Sequence, residues 1–411
     1  MANIVFCWEL GAALGHAGRL KALAQPLRAR GHAISFVLRD LVHTRRLLAD
    51  VDIPVYQAPL WLHRVAGLPP GEASQADLLL ACGWLDADAM AGLVDGWRHL
   101  LRALGAHLVV GDYAPAALLA ARSLGIASAA VGPGFQIPPA DRPLPPLRDW
   151  EAVPQSRMAA TEARVLATAN AVLARHGAAP YAYAADLLRG DLPVLCTWPE
   201  LDPWGRGETD ARWFGPTIAG PGTRPPARPD GPGARAPVWP DGAGPRVFAY
   251  LRGPHPDHAA LLAALARAGC RTLCYLPDVA GGAAPPFTHP LVAWAGGPVA
   301  LDAALPASAF AICHAGESTV SQALLAGVPV LTLPQTAEAF LTARRARQLG
   351  AGINVNEMAR PLDWDGIVRR MLEGEDYRAA ARAFALRHAD FDAGRQAEAI
   401  AGVLEGLLGR A

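Results

Sequence analysis

Two doubly wound α/β domains joined by a linker are the fold that this 411-residue sequence predicts. Three observations carry the prediction. The chain opens with a βαβ pattern: the apolar run Ile4-Val5-Phe6-Cys7-Trp8, a loop of small residues from Glu9 to Gly18, and a helix with Leu20, Leu23, Ala24 and Leu27 on one face. That helix stops at Arg30-Gly31, and a second strand runs from His32 to Leu38. Near the other end, Ala309 to Cys313 form a buried strand, Val320, Ala323 and Leu324 follow at helical spacing, and Val328-Pro329-Val330-Leu331-Thr332-Leu333 make the next strand. Between the two lies 215–245, so rich in Gly and Pro that it cannot bury a core. Strands alternating with helices imply a parallel sheet with helices on both faces.

Composition sets bounds. A chain of 411 residues, 52% hydrophobic, exceeds a single domain, and the division expected is 1–214, a linker at 215–245, and 246–411. Lys plus Arg and Asp plus Glu both number 37, which argues against a polyanionic partner such as nucleic acid. The six cysteines sit mostly in apolar strand-like runs and read as small buried hydrophobes in a reducing compartment, not as a disulfide or zinc framework. No basic region precedes the first apolar run and no eighteen-residue apolar stretch exists, so a cytoplasmic protein with no membrane span is expected.

The turn at His314-Ala315-Gly316-Glu317 is the first place where chemistry shows. A strand feeding a helix through a short Gly-containing turn leaves backbone N–H groups at the positive end of the helix dipole, a ready phosphate site. Ser318 and Thr319 stand where N-cap residues stand, and their hydroxyls and His314 add donors. For this turn alone, a helix cap beside a structural histidine is the rival reading. The wider register resembles the donor-binding motif of the family 1 glycosyltransferases, which include plant UDP-glycosyltransferases and bacterial macrolide glycosyltransferases. Their pattern is a strand, His-Gly-Gly-x-Gly-Thr or a variant, a helix, Gly-Val-Pro, a strand and Pro-x-x-x-Asp-Gln-x-x-Asn-Ala. Here His314, Gly316, Thr319, Gly327-Val328-Pro329, Pro334 and Ala343 fall in step, with Glu338 in the place of the acid. Ala315, Ser318, Ala339 and Thr342 depart from it. The missing Gln at 339 implies a donor preference different from the glucose usual in that family.

The same resemblance extends to the first half. Gly15-His16 and, sixteen residues on, Gly31-His32 match that family's amino-terminal Gly-His pair, whose first histidine is the catalytic base. The role therefore passes to His16, and a neutral imidazole suits the removal of a proton from an attacking hydroxyl. His32 reads as packing or capping. Leu108-Val109-Val110-Gly111-Asp112 is an apolar strand ending in an acid, which puts Asp112 where the family has the acid that orients the base. The alternative is an Asp that merely caps the following helix.

Further along, Arg252 in the first turn of the second domain is a candidate anion partner, and Trp294 stands where the plant motif places a base-stacking Trp. Eight of the eleven tryptophans occur by Trp213, which hints at an apolar acceptor region, although core packing explains most of them. Asp86-Ala87-Asp88 looks like a metal-binding D-x-D but sits in a helical run, and reads as a solvated helix face. A nicotinamide-binding reading of the opening fails because the glycines at 11, 15 and 18 do not make G-x-G-x-x-G. A last helix, about 379–408, could return to the first domain.

The resemblance implies the GT-B arrangement, two Rossmann-like domains facing across a cleft. It implies an inverting transfer, independent of metal and of any cofactor, from a UDP- or dTDP-sugar to a hydroxyl of a small, apolar acceptor. Phosphates would lie at His314, Gly316, Ser318 and Thr319, with Glu338 on the sugar. Two alternatives stand beside this: a nucleotide-sugar epimerase or hydrolase, and a non-catalytic nucleotide-sugar-binding helper. The acceptor, the sugar and the oligomeric state are not legible.

Overall fold

The computed structural model describes the whole chain except residues 13, 70, 141–142, 209–211, 219–233 and 410–411, so about half of the Gly/Pro-rich linker lies outside the described residues. The chain divides into two compact units, Met1–Ile218 together with Ala393–Ala411, and Ala219–Asp392.

The first unit is built on six parallel strands: β1 (Asn3–Trp8), β2 (Ala33–Leu38), β3 (Val55–Gln57), β4 (Leu108–Asp112), β5 (Ala127–Gly132) and β6 (Leu192–Leu195). Their order across the sheet is β3-β2-β1-β4-β5-β6. The second unit repeats the plan with β7 (Arg246–Tyr250), β8 (Arg271–Tyr275), β9 (Val292–Trp294), β10 (Phe310–Cys313), β11 (Val330–Thr332) and β12 (Gly352–Asn354), ordered β12-β11-β10-β7-β8-β9 and again parallel. Both are the doubly wound order in which the chain first winds to one side of its first strand and then to the other. The crevice at the carboxyl ends of the two central strands is where such sheets bind ligands. In the first unit those strands are β1 and β4; in the second, β7 and β10.

The opening helix shows what holds these elements. It spans Gly15–Ala29 with Leu14 at its N-cap and no side-chain cap. Gly18 and Pro26 inside it cost about 4 kcal/mol in intrinsic propensity. Leu20, Leu23 and Leu27 on one face are completely buried, worth about 1.5–3 kcal/mol each. Packing therefore outweighs propensity. It also moves the helix start forward: the small-residue loop expected to reach Gly18 ends at Leu14, which places His16 in the first helical turn.

The terminal helix is likewise redrawn. One helix from about 379 to 408 is expected, and two are found, Glu375–Arg387 and Ala393–Leu408. The break falls at the boundary between the units, because the two apolar stripes serve different cores. Phe384 is buried on the first helix, and the second sets Ala397, Ile400, Ala401 and Leu404 into the β1–β2–β4 core beside Leu20 and Leu23. Arg30 pairs with Glu398 and Glu405, and His32 Nε2 with Glu405 Oε1 at 2.9 Å, so His32 serves to tie this helix down. Among the described residues no helix is long and apolar enough to cross a membrane.

Candidate active site

In the first unit, parallel pairing brings Trp8 at the end of β1 level with Asp112 at the end of β4. The chain leaves β1 through Glu9, Leu10 and Gly11, and His16 stacks back on Trp8 with ring centroids 5.0 Å apart and planes 14° apart. His16 Nδ1 then lies 2.8 Å from Asp112 Oδ1. Arg19, one turn further along the helix, donates from Nη1 to Asp112 Oδ2 at 2.5 Å. Asp112 has no exposed surface, and His16 keeps only 6% of its own. Burial pushes the Asp112 carboxyl upward, but the positive charge of Arg19 and the hydrogen bonds from His16 and Arg19 outweigh it. The group lies below its usual range and is ionised. An ionised carboxylate can only accept, so Nδ1 carries the imidazole proton and Nε2 presents its lone pair.

Nε2 points past Gly11, where a Cβ would stand 2.6 Å from Nε2 and 3.6 Å from the Tyr113 ring. With φ at +80°, Gly11 is also where the backbone disfavours any side chain. Asp112 does not cap the next helix, Pro115–Leu124, which has no side-chain cap at its N-cap Ala114. Glu9 does that work instead: its Oε2 accepts from the Ala116 N–H at 2.8 Å. The Glu9 carboxyl is only 2% exposed. Burial lifts its pKa to about 8, against hydrogen bonds from Ala116 and Ala117 and the charge of Arg39.

In the second unit, His314 leaves the end of β10 and packs edge-on to Tyr250 at the end of β7, centroids 4.9 Å apart. Tyr250 stacks in turn on Tyr275 at the end of β8, 5.3 Å away. Burial and then the charge of Arg252 hold the His314 imidazolium down to a pKa of about 4, opposed by a hydrogen bond with the Tyr250 carbonyl, so His314 is neutral near pH 7. The helix that follows spans Glu317–Leu325 with Gly316 as N-cap and no side-chain cap. Ser318 and Thr319 are thus first-turn residues, not caps. The cap falls to Gly316 because a side chain there would crowd His314: its Cβ would lie 3.1 Å from Nε2. Thr319 and Val320 donate to the Gly316 carbonyl. Among the described residues the Gly316 and Ser318 N–H groups have no acceptor, which leaves them for an anion.

The remaining predicted residues are spread over the same end of the second sheet. Arg252 follows β7 and its carbonyl accepts from Gln335 Nε2 at 2.7 Å. Glu338 lies in the first turn of helix Ala337–Gln348, which Thr336 caps by accepting from Ala339 N–H. Trp294 ends β9 and donates from its ring to the Phe287 carbonyl at 3.1 Å. Three strand spacings, roughly 14 Å, separate β9 from β10, so Tyr250 and Tyr275 are the aromatic residues nearer His314. Asp86 caps helix Ala87–Ala103, and Asp88 pairs with Arg175, so both acids of the D-x-D are engaged locally.

Backbone strain marks both places. Among the described residues, only Tyr113 (φ 48°) and Ala315 (φ 62°) are non-glycine residues at positive φ. One follows Asp112 and the other follows His314. Each costs about 1–3 kcal/mol, a strain that tends to collect at functional sites. Sequence reasoning missed Arg19, Glu9 and Gly11. For Arg19 the signal was its i+3 spacing from His16, which puts both on one helix face.

Comparison with known proteins meets this geometry. Residues 291–403 match the family model described as Erythromycin biosynthesis protein CIII-like, C-terminal domain. A PGL/p-HBAD biosynthesis glycosyltransferase of Mycobacterium tuberculosis is 27% identical over 317 residues, covering 70% of this chain and 68% of that protein. Two crystal structures superpose over nearly the whole chain. The glycosyltransferase of kitacinnamycin has a TM-score of 0.70 at 17% identity, covering 99% of both chains. Glycosyltransferase VinC, in complex with dTDP, has 0.66 at 18% identity, covering 100% of both. The chain has the GT-B fold of these structures, two parallel six-stranded α/β units. In this fold the two strained non-glycine residues, Tyr113 and Ala315, fall at the carboxyl ends of β4 and β10, central strands of the two units.

Proposed function

We propose that the protein is a glycosyltransferase that moves a sugar from a nucleotide-diphosphate sugar to a hydroxyl of a small, apolar acceptor, with inversion and without a metal ion. The observation that carries the reading is the bond between His16 Nδ1 and the buried Asp112 carboxylate, 2.8 Å long, at the end of β1 and β4. It leaves Nε2 to take the acceptor proton as the hydroxyl oxygen attacks the anomeric carbon. The bond from that carbon to the diphosphate oxygen breaks on the opposite face, and the configuration inverts. The departing diphosphate would be received at the Glu317–Leu325 helix by the Gly316 and Ser318 N–H groups, with His314, Thr319 and Arg252 beside them. Glu338 is assigned to the sugar hydroxyls. The dTDP bound to VinC supports a dTDP- or UDP-linked donor.

The test is incubation with dTDP- and UDP-sugars, with and without a panel of phenolic and macrocyclic alcohols, following nucleotide release and the anomeric configuration of any product by NMR. Release that requires an acceptor, yields the inverted glycoside and persists in EDTA supports the reading. Release without an acceptor points to a hydrolase, altered sugar to an epimerase, and binding without turnover to a helper.

A further inference from the structure

We propose that Arg19 is a positioning residue: it keeps the Asp112 carboxylate an acceptor, and thereby holds the His16 proton on Nδ1 and the lone pair on Nε2. The inference rests on the reading of His16 as the base, but its physical core does not depend on the reaction. Asp112 is completely buried and its two oxygens are divided, Oδ1 to His16 at 2.8 Å and Oδ2 to Arg19 at 2.5 Å. A neutral imidazole satisfies one oxygen but brings no charge. A carboxylate taken out of water without a counter-charge neutralises itself by binding a proton. The guanidinium cannot lose its proton in a protein, so it is a permanent counter-charge.

The consequence lies in the tautomer. If Asp112 held a proton, its O–H could donate to His16 Nδ1. The imidazole proton would then sit on Nε2, and the nitrogen facing the acceptor would be a donor instead of a base. The choice between these states is made at Asp112 Oδ2, on the side away from His16. The other carboxylate nearby in sequence, Glu9, is turned to the Pro115–Leu124 helix and offers His16 no alternative acceptor. Arg19 also sits on the His16 helix, three residues on, so one rigid turn carries both groups to the same acid.

The experiment reads the tautomer directly. Full-length protein labelled with 15N-histidine gives long-range 1H–15N correlations of each ring, and His16 is assigned by the signals missing in His16→Gln. The expected native pattern has the proton on Nδ1. Asp112→Asn, whose amide can donate, serves as the control for a shifted pattern. Arg19→Gln is expected to shift His16 toward the Nε2–H form as the control does, whereas Arg19→Lys, which keeps the charge, is expected to retain the native pattern. Arg19→Met is the second neutral variant should the Gln protein not fold. With a working acceptor, Arg19→Gln should lower kcat by roughly 10²-fold, leave nucleotide affinity unchanged, and cost nothing further in a His16→Ala background. A neutral variant that retains the native tautomer overturns the proposal, as does a kcat loss undiminished in the His16→Ala background. Both would make Arg19 a structural ion pair only. A native tautomer that shifts as expected in a protein without transfer activity would overturn the glycosyl-transfer reading and leave the Arg19 assignment standing.

Discussion

At the scale of single residues, His16 carries the largest consequence. His16→Ala should lower transfer by roughly 10²–10⁴-fold, the usual contribution of a positioned base, while dTDP affinity measured by calorimetry stays where it was. Near-native turnover would place the base elsewhere. Gly11 makes a sharper geometric demand. A Cβ 2.6 Å from Nε2, on backbone at φ +80°, occupies the approach to the base. Gly11→Ala is therefore expected to reduce transfer at least as severely as it reduces stability, and an unaffected kcat would show that the acceptor approaches from another side. Glu9 gives a prediction in pH. Between its ordinary value of 4.5 and about 8, the folded chain keeps a proton that the unfolded chain has released. Stability from this group is therefore present at low pH and falls as pH rises through that window. Glu9→Gln keeps an oxygen to cap Ala116 and removes the titration. The gain in stability of the variant over the native protein should grow from pH 4.5 to pH 8 in denaturant melts, and a constant difference would refute the assignment.

At the scale of elements, the strand–turn–helix at 310–325 carries the proposed phosphate site. Its turn is strained at Ala315, its cap has no side chain, and its first-turn N–H groups face outward from the sheet's carboxyl end. Thr319 is mostly buried in that turn. Thr319→Val and His314→Ala should each weaken nucleotide-diphosphate binding by about 1.5–3 kcal/mol, the range for hydrogen bonds to charged groups, without lowering the melting temperature of the free protein by more than a few degrees. Unchanged affinity in both variants would remove the phosphate site from this turn.

At the scale of the whole molecule, the C-terminal helix Ala393–Leu408 is the element whose place matters most. It completes the first unit's core from the far end of the chain, so that unit cannot close until the second has been synthesised. Leu404 is fully buried there. Leu404→Ala should cost about 2–5 kcal/mol, read as a lower melting transition, and the His16–Asp112 pair should feel it before the proposed phosphate turn of the second unit does. Loss of nucleotide affinity with preserved transfer chemistry would contradict that assignment of the helix.

Much of this was legible in the residues. Apolar runs of five or six, each followed by a turn and a helical stripe, determine parallel strands, because strands buried on both faces have no polar side to show. His16 and Asp112 were legible through their resemblance to the Gly-His pair and strand-ending acid of the family 1 glycosyltransferases, and His314 through the turn that follows an apolar run together with that family's wider register. The sequence could not decide which acid caps the helix after β4, since Glu9 and Asp112 are about a hundred residues apart and only the folded sheet sets them side by side. Nor could it separate Trp294 from His314, because strand order, not sequence distance, sets that spacing. It drew the last helix as one, because helical periodicity does not record which of two cores a stripe will enter. The partnership of Arg19 with Asp112 was likewise decided by tertiary structure. A charge near a histidine in sequence is ordinary, and it becomes a constraint on a proton only when the acid between them is sealed from water.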